Sequence, residues 1–518
     1  MNIFPRPAPR RQNPVPAQTY TGGAQRTAEE WERPWPRLDA TFVALMGLLL
    51  TAFSLDSAGR LPSDLARAGA YGVGITLLVS FALEARSGLK NLVRADLMGI
   101  VALYYLTLYE FLFYQPYFDK QIPNVEPVQK GLWAIFVGFA GLFIGRHLLP
   151  RGKQPFEKIM TRDVPFKWLM TIYWGALFFG FFYMMLSVDF NVVSFVDYLM
   201  KPRFEQPWGR PRLGDWKALL HELELLLYLV PPVAGLMLAR REKYPAVMVF
   251  AVVLGFLWTL FYGFLSGTRS LLGTFLVTFM IAYTFAAGVH RRKESILICV
   301  ACASMMVFST KAMLQMRTIG FKNWWEGRIP AIVTRQSSAV FVDDNLLAIS
   351  TLTKYFPDQN NGHYLGFEIP YLAIIRPIPR ELWRIMLPGE KPTGLSISIE
   401  KIFGMSGVTI AATFVGEGYM SGGFIAVLLM GITLGWLAAW WNRLSSPRNS
   451  ELGMLIYASG FFAVTITMRS LFALTTAVLP CVVGLVAGKY LLPAVKRGLG
   501  GRRAPAVPPK LRQPPPKP

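Results

Sequence analysis

Charged residues are scarce in this sequence. Asp, Glu, Lys and Arg supply 16% of its 518 residues, against roughly 25% in an ordinary soluble domain. Beside 53% hydrophobic and 14% aromatic residues, that is too little polar cover for a soluble chain of this size. The same apolar content excludes disorder for most of the chain. Cysteine is scarcer still. Cys299, Cys302 and Cys481 all lie in apolar stretches, which excludes a disulfide framework. Cys299-Val-Ala-Cys302 has redox spacing but sits inside a hydrophobic run and reads as core. There is no Walker A motif, no dinucleotide fingerprint and no nucleophile elbow. His221-Glu222-Leu223-Glu224 misses the H-E-x-x-H zinc pattern because position 225 is Leu. The adjacent pair Asp343-Asp344 is too small a set to argue a cation site. No metal and no cofactor are therefore expected.

What the chain does have is long hydrophobic runs. About 20 mostly apolar residues cross the hydrocarbon of a bilayer as a helix. Twelve stretches fit: 38–55, 66–84, 96–115, 131–149, 166–186, 218–238, 245–265, 270–289, 296–313, 422–441, 452–468 and 471–491. The ninth is the weakest, because Lys311 and Arg317 follow it closely. The expected fold is an all-α polytopic membrane protein with about 12 transmembrane helices and one large helical outer loop. Its parts are a disordered tail over 1–37, helices 1–9 over 38–313, an outer cap over 314–421, helices 10–12 over 422–491, and a disordered basic tail over 492–518. The first 37 residues hold no apolar run of signal-peptide type.

The net charge of +22 is distributed as a topology signal rather than as a nucleic-acid footprint. Basic residues crowd alternate connections: Arg86/Lys90/Arg94, Arg146 to Lys167, Arg240/Arg241/Lys243, Arg291/Arg292/Lys293, Arg443/Arg448 and the C-terminal tail. Both termini are thus expected to be cytoplasmic, with the basic side near anionic headgroups. Segments 187–217 and 314–421 are long outer connections, and long connections in a compact protein are usually functional or disordered. The second is aromatic, with Trp324/Trp325, Tyr355, Tyr364, Tyr371 and Trp383, and reads as a folded cap.

Two tight outer turns carry the sharpest pattern. Gly267-Thr268-Arg269-Ser270-Leu271 and Met468-Arg469-Ser470-Leu471 each put Arg-Ser-Leu where a span starts back into the membrane. Unpaired N–H groups at a helix start, a hydroxyl and a guanidinium make a site for a phosphate or a carboxylate. The bland alternative is an Arg snorkelling to headgroups. Arg376, Arg380 and Arg384 form a basic cluster in the large loop, with Pro379 suited to the first turn of a helix. A solvated helix face is the alternative there. Gly416-Glu417-Gly418-Tyr419 precedes the tenth span, and a partly desolvated carboxylate at that level suits a general base. A helix-start acid is the alternative. His363 is a second base candidate. His221, Glu222 and Tyr419 are further candidates for substrate contact. Pro231-Pro232 should break the sixth span. Gly431-x-x-x-Gly435 and Gly484-x-x-x-Gly488 suggest helix packing. Glu110 is an intramembrane acid without an obvious partner.

The order Gly267-Thr268-Arg269-Ser270, Ile378-Pro379-Arg380 to Lys391-Pro392, and Gly416-Glu417-Gly418-Tyr419 with Gly422-Gly423 resembles the bacterial oligosaccharide repeat-unit polymerases, the Wzy type of O-antigen and exopolysaccharide synthesis. The resemblance covers residues 245–472. Glu390 beside Lys391 and the long tails depart from the pattern. The resemblance implies a GT-C-like, all-helical glycosyltransferase of the inner membrane. It would transfer a glycan from undecaprenyl diphosphate to a sugar hydroxyl of a second lipid-linked repeat unit at the outer face. Arg269, Arg469, Arg376, Arg380 and Arg384 would take the diphosphate, and Glu417 or His363 the proton. The lipid-linked oligosaccharide and membrane lipids would be partners, and a chain-length regulator is a further candidate; nucleic acid is not. An O-antigen-type ligase would use the same donor pocket. Twelve spans also fit a flippase or transporter, although binding residues near the midplane and repeated halves are not apparent.

Overall fold

The structure, a computed structural model, describes residues 35–478 apart from 58, 60, 116, 150–151, 164, 209–219, 222, 288–290, 331–343, 377, 379, 393, 398–401, 404–410, 447 and 475–476. Among the described residues there is no strand. Among them, eight helices are long and apolar enough to cross a membrane. These are α1 (Leu38–Ser54, extended by a 3-10 turn to Ser57), α2 (Pro62–Ala85), α4 (Val125–Gly145), α5 (Phe166–Leu186), α7 (Ala246–Leu265), α8 (Arg269–Ala287), α13 (Thr413–Asn442) and α14 (Glu451–Arg469). Two shorter apolar pieces stand at the expected third and sixth spans: α3 (Ala95–Thr107), and a 3-10 stretch Leu223–Leu229 running into α6 (Val230–Ala239). The ninth expected span lies inside the 34-residue helix α9 (Arg292–Trp325), which is not among the eight. Most of the twelfth, both tails, Cys481 and the Gly484/Gly488 pair lie outside the described residues.

Pro231 and Pro232 do interrupt the sixth span, at the junction between its 3-10 and α-helical parts. They occupy the first turn of α6, where a missing N–H is harmless, and the 3-10 stretch precedes them. Ser450 caps α14 by accepting from the Gly453 N–H at 3.2 Å. α13 is two helices in one. Gly422 and Gly423 are non-helical, and Gly423 has φ 65°, which disfavours residues with a Cβ. A short half-helix, 413–421, therefore precedes the longer apolar part.

Three apolar clusters organise the packing. The first joins α1 to α4 with α10 (Asn345–Tyr355) and the half-helix of α13. The second joins α5 to α9. The third ties the two together through Ala95, Ile281, Ala282, Ala438, Ile456 and Tyr457. Gly431 and Gly435 act as the sequence suggests. A Cβ on Gly431 would sit 2.9 Å from the Gly138 carbonyl oxygen, and one on Gly435 2.5 Å from that of Leu142. α4 and α13 can approach this closely only through small residues.

The segment read as an outer cap is more embedded than expected. α9 carries it out to Trp325, with a break at Gly320 where the Phe321 N–H donates to the Met200 carbonyl at 2.8 Å. α10 is buried, with Leu346, Ile349, Ser350 and Leu352 wholly enclosed. The remaining pieces are α11 (Glu368–Ile375) and α12 (Arg380–Met386).

At one end of α13, four charges are sealed from solvent. Arg94 donates to Glu84 at 2.8 Å and to Asp96 at 2.8 Å. Arg146 lies 3.1 Å from Glu84 and 3.6 Å from Asp96. Asn442, at the end of α13, donates to Asp96 at 2.5 Å and accepts from the Ala95 N–H at 2.8 Å. Asn91 donates to Glu84 at 2.7 Å. This corrects the sequence reading of Arg94 and Arg146 as headgroup-facing charges: both side chains are 0% exposed. Their positive charge is matched by two carboxylates that would otherwise be stranded in an apolar interior. Other connection charges are also engaged: Arg240 with Glu451, and Arg291 with Glu242.

Candidate functional site

The opposite end of α13 gathers the sequence motifs. Glu417 stands on the half-helix, 4% exposed. Its carboxylate accepts from the Ser470 hydroxyl at 2.6 Å and from the Leu471 N–H at 2.6 Å. The Gly-Glu-Gly motif and the second Arg-Ser-Leu turn are thus one structure, although 53 residues separate Glu417 from Ser470. The contact forms because α14 ends at Arg469 and Ser470 turns extended, with φ −163°, exposing the next N–H for capture. Gly418 permits the close packing of the half-helix on Val427 and Met430, where a Cβ would meet the Val427 backbone at 3.1 Å.

This changes the role of the turn. Of the two anions the sequence offered this turn, a phosphate or a carboxylate, its hydroxyl and N–H take the protein's own carboxylate. Two donors on one carboxylate make a strong, directional anchor. Arg469, half-buried, is the residue that leads into this turn.

α11 brings the loop cluster in. Its residues Leu372 and Ile375 pack with Trp383, and Phe472 of the second turn packs against them. Arg376 ends α11 and acts electrostatically on Glu417. Lys391 donates to the carbonyls of Arg376 at 3.0 Å and Ile378 at 2.6 Å. It fixes the turn after α11 and compensates carbonyls at a helix C-terminus. Arg384 is exposed on α12, and Arg380 opens that helix. The side chain of Arg380 lies outside the described set, as do Pro379, Asp343 and Glu222.

His363 is exposed on the turn before α11, where its carbonyl accepts from Asn360 at 2.7 Å. That turn docks on the half-helix: the Leu365 N–H donates to the Met420 carbonyl at 2.8 Å. Tyr364 meets Tyr419 edge-on at 6.1 Å. Tyr419 is itself 5% exposed and also meets Phe424 edge-on. Its ring is held by packing on these neighbours. Tyr364, which the sequence reading did not single out as a site, is the more accessible ring of the pair.

The first Arg turn is built differently. Gly267 has φ +64°, and a Cβ there would meet Arg317 at 3.0 Å. Ser266 accepts from the Thr268 N–H, and Thr268 carbonyl oxygen accepts from Leu271 at 2.9 Å to start α8. This turn is therefore organised with α9 rather than with Glu417. It lies at the same end of the molecule as Arg469, because α8 and α14 pack antiparallel: Ile281 and Ala282, late in α8, meet Ile456 and Tyr457, early in α14. His221 belongs to a further group. It lies 3.9 Å from Glu224, which accepts from Tyr262 at 2.6 Å, and it meets Tyr183 edge-on at 5.5 Å. That group belongs to the second apolar cluster, not to the Glu417 site. Cys299 and Cys302 are free thiols, partly buried on α9. Among the described residues no three His, Cys, Asp or Glu side chains come together to hold a metal.

The fold and this arrangement define a helical membrane protein with a carboxylate-anchored basic turn at one end of the bundle. No protein-family model, curated protein or solved structure matches the chain.

Proposed function

We propose that this protein is a membrane polysaccharide polymerase of GT-C-like design. It transfers a glycan from undecaprenyl diphosphate to a sugar hydroxyl of another lipid-linked repeat unit. The observation that carries the reading is the Glu417 anchor. It joins the Gly-Glu-Gly-Tyr motif, one of the elements on which the family resemblance rests, to the Arg469 turn, with Arg376 acting on the same carboxylate. The acceptor oxygen forms the new glycosidic bond as the anomeric carbon–phosphate oxygen bond breaks. The diphosphate leaves with that electron pair, so its growing charge needs fixed cations. Arg469 and Arg376 supply them, with Arg269, Arg380 and Arg384 as further candidates. Glu417 holds the turn. Because its carboxylate already serves two donors, exposed His363 is the better-placed acceptor for the hydroxyl proton, and Glu417 the second. The site faces the outer side of a bacterial inner membrane in this reading, with both termini cytoplasmic.

The test is a reconstituted protein given undecaprenyl-diphosphate repeat units. A ladder of longer glycans is expected, weakened by a few kcal/mol of transition-state stabilisation in Arg469→Ala and Arg376→Ala. Unchanged substrate from folded protein would overturn the proposal. Transfer to a different lipid with no ladder would make the protein a ligase.

A further inference from the structure

α11 is apolar on all sides. Its sequence is Glu-Ile-Pro-Tyr-Leu-Ala-Ile-Ile. One side is accounted for: Ile369 is fully enclosed, and Leu372, Ala373 and Ile375 are each 6% exposed. The other side is not. Phe367 is 71% exposed, Tyr371 40% and Ile374 60%. These residues are spaced by four and three, so they form one stripe on the helix. Ile385, Met386 and Leu387, at the end of α12, add 81%, 63% and 41% exposure nearby in the chain. A helix that is hydrophobic all round is covered on every face, by protein or by lipid.

The surroundings say which. α11 follows directly on the Leu365–Met420 hydrogen bond, at the point where α13 breaks at Gly422 and Gly423. Beyond that break, α13 presents Phe424, Ile425 and Leu429 outward at 39%, 74% and 58% exposure, as a membrane-spanning helix does. The bare stripe of α11 thus begins where a lipid-facing surface ends. Tyr371 has an apolar ring and a polar tip, the composition that favours the bilayer interface. The charges fit the same level. Arg376 and Arg384 are exposed at the ends of α11 and α12, and their long stems let the guanidinium groups stay among headgroups. The acid within α11, Glu368, is turned onto Ser396, whose hydroxyl donates to it at 2.7 Å. Glu390, in the turn beyond α12, is exposed.

We infer that α11 and the end of α12 form an interfacial anchor, with the Phe367–Tyr371–Ile374 stripe and Ile385–Met386 immersed in the bilayer at the Glu417 end. The loop is then held at the membrane surface rather than standing in water as a cap. This inference does not depend on the polymerase reading, since its test measures immersion and not catalysis.

The experiment uses the full chain with Cys299, Cys302 and Cys481 changed to Ala, and single nitroxide labels at Ile374→Cys and Tyr371→Cys. Leu429→Cys gives a lipid-facing reference and Gly362→Cys a loop reference. In vesicles of phosphatidylcholine and phosphatidylglycerol, collision with oxygen is compared with collision with a water-soluble nickel chelate. Labels at 374 and 371 are expected to follow Leu429, with oxygen access high and nickel access lost. Matching the nickel access of Gly362 would overturn the inference. So would labels shielded from both reagents, which would mean that a second copy of the chain covers the stripe. The two reference labels report whether each preparation is folded and inserted.

Discussion

The two ends of α13 bury carboxylates in opposite ways. At Asn442, two acids meet two arginines, all four inaccessible to solvent, and the Asn91 and Asn442 amides donate to the acids. The charge is balanced within the cluster, and every main element of the first bundle reaches it. Such a network fixes register between helices. At Glu417, a single acid accepts from a hydroxyl and an amide, and its cationic neighbour Arg376 sits on an exposed turn. Sealed and neutral at one end, connected to accessible cations at the other: the first arrangement suits structure, and the second suits the handling of an anion.

The comparison breaks most visibly at the sealed end. Arg94→Met leaves Glu84 and Asp96 to Arg146 alone, with one buried negative charge uncompensated, and should destabilise the fold by about 3–5 kcal/mol. Thermal unfolding in detergent measures it, and a shift near zero would mean the network is not load-sharing. Glu417→Ala should cost less, about 1–3 kcal/mol, by leaving the Leu471 N–H and Ser470 hydroxyl without their acceptor. Hydrogen exchange should accelerate at Leu471 while the Arg94 region stays protected. Gly435→Ala lies between the ends. Its new methyl group would press on the Leu142 carbonyl, at about 1–3 kcal/mol, with no local change in exchange at Leu471.

The smallest effect concerns pH. His147 adjoins the sealed network, 2.6 Å from Thr41. Burial first, then the Arg146 guanidinium, push its imidazole down to about 4, against the weaker opposing pull of Asp96 and Glu84. The folded protein therefore holds His147 neutral where the unfolded chain protonates it. Stability from this group is complete above its ordinary value and is lost as pH falls from about 6.5 towards about 4. His147→Gln should flatten the fall in melting temperature over that window. An unchanged slope would remove His147 as its source.

Much of the bundle was legible because a 20-residue apolar run has few alternatives to a membrane helix. The Gly431/Gly435 pattern was legible for a similar reason: small residues four apart form a seam. The sealed network was not read, although Glu84, Arg94 and Asp96 lie close in sequence. Arg94 and Arg146 looked like positions on the basic side of the bilayer, and nothing in periodicity shows that a charge at a helix end turns inward. The site was half legible. Glu417 and the Arg469 turn were each singled out, but their union spans 53 residues and depends on tertiary packing. The enclosure of Tyr419 was not legible, because an aromatic after Gly-Glu-Gly gives no hint of how fully its ring is packed. α10 was read as part of a cap because its connections are long, while its burial comes from contacts with α4 and α13 that local sequence does not encode.

The most direct measurement of the central claim is a double-mutant cycle on ladder formation with Glu417→Gln and Arg469→Ala. If Glu417 acts by holding the Arg469 turn, the two losses overlap, and the double variant is scarcely slower than the worse single one. Losses that multiply independently would contradict the anchor, and with it the assignment of this end of the molecule to the diphosphate.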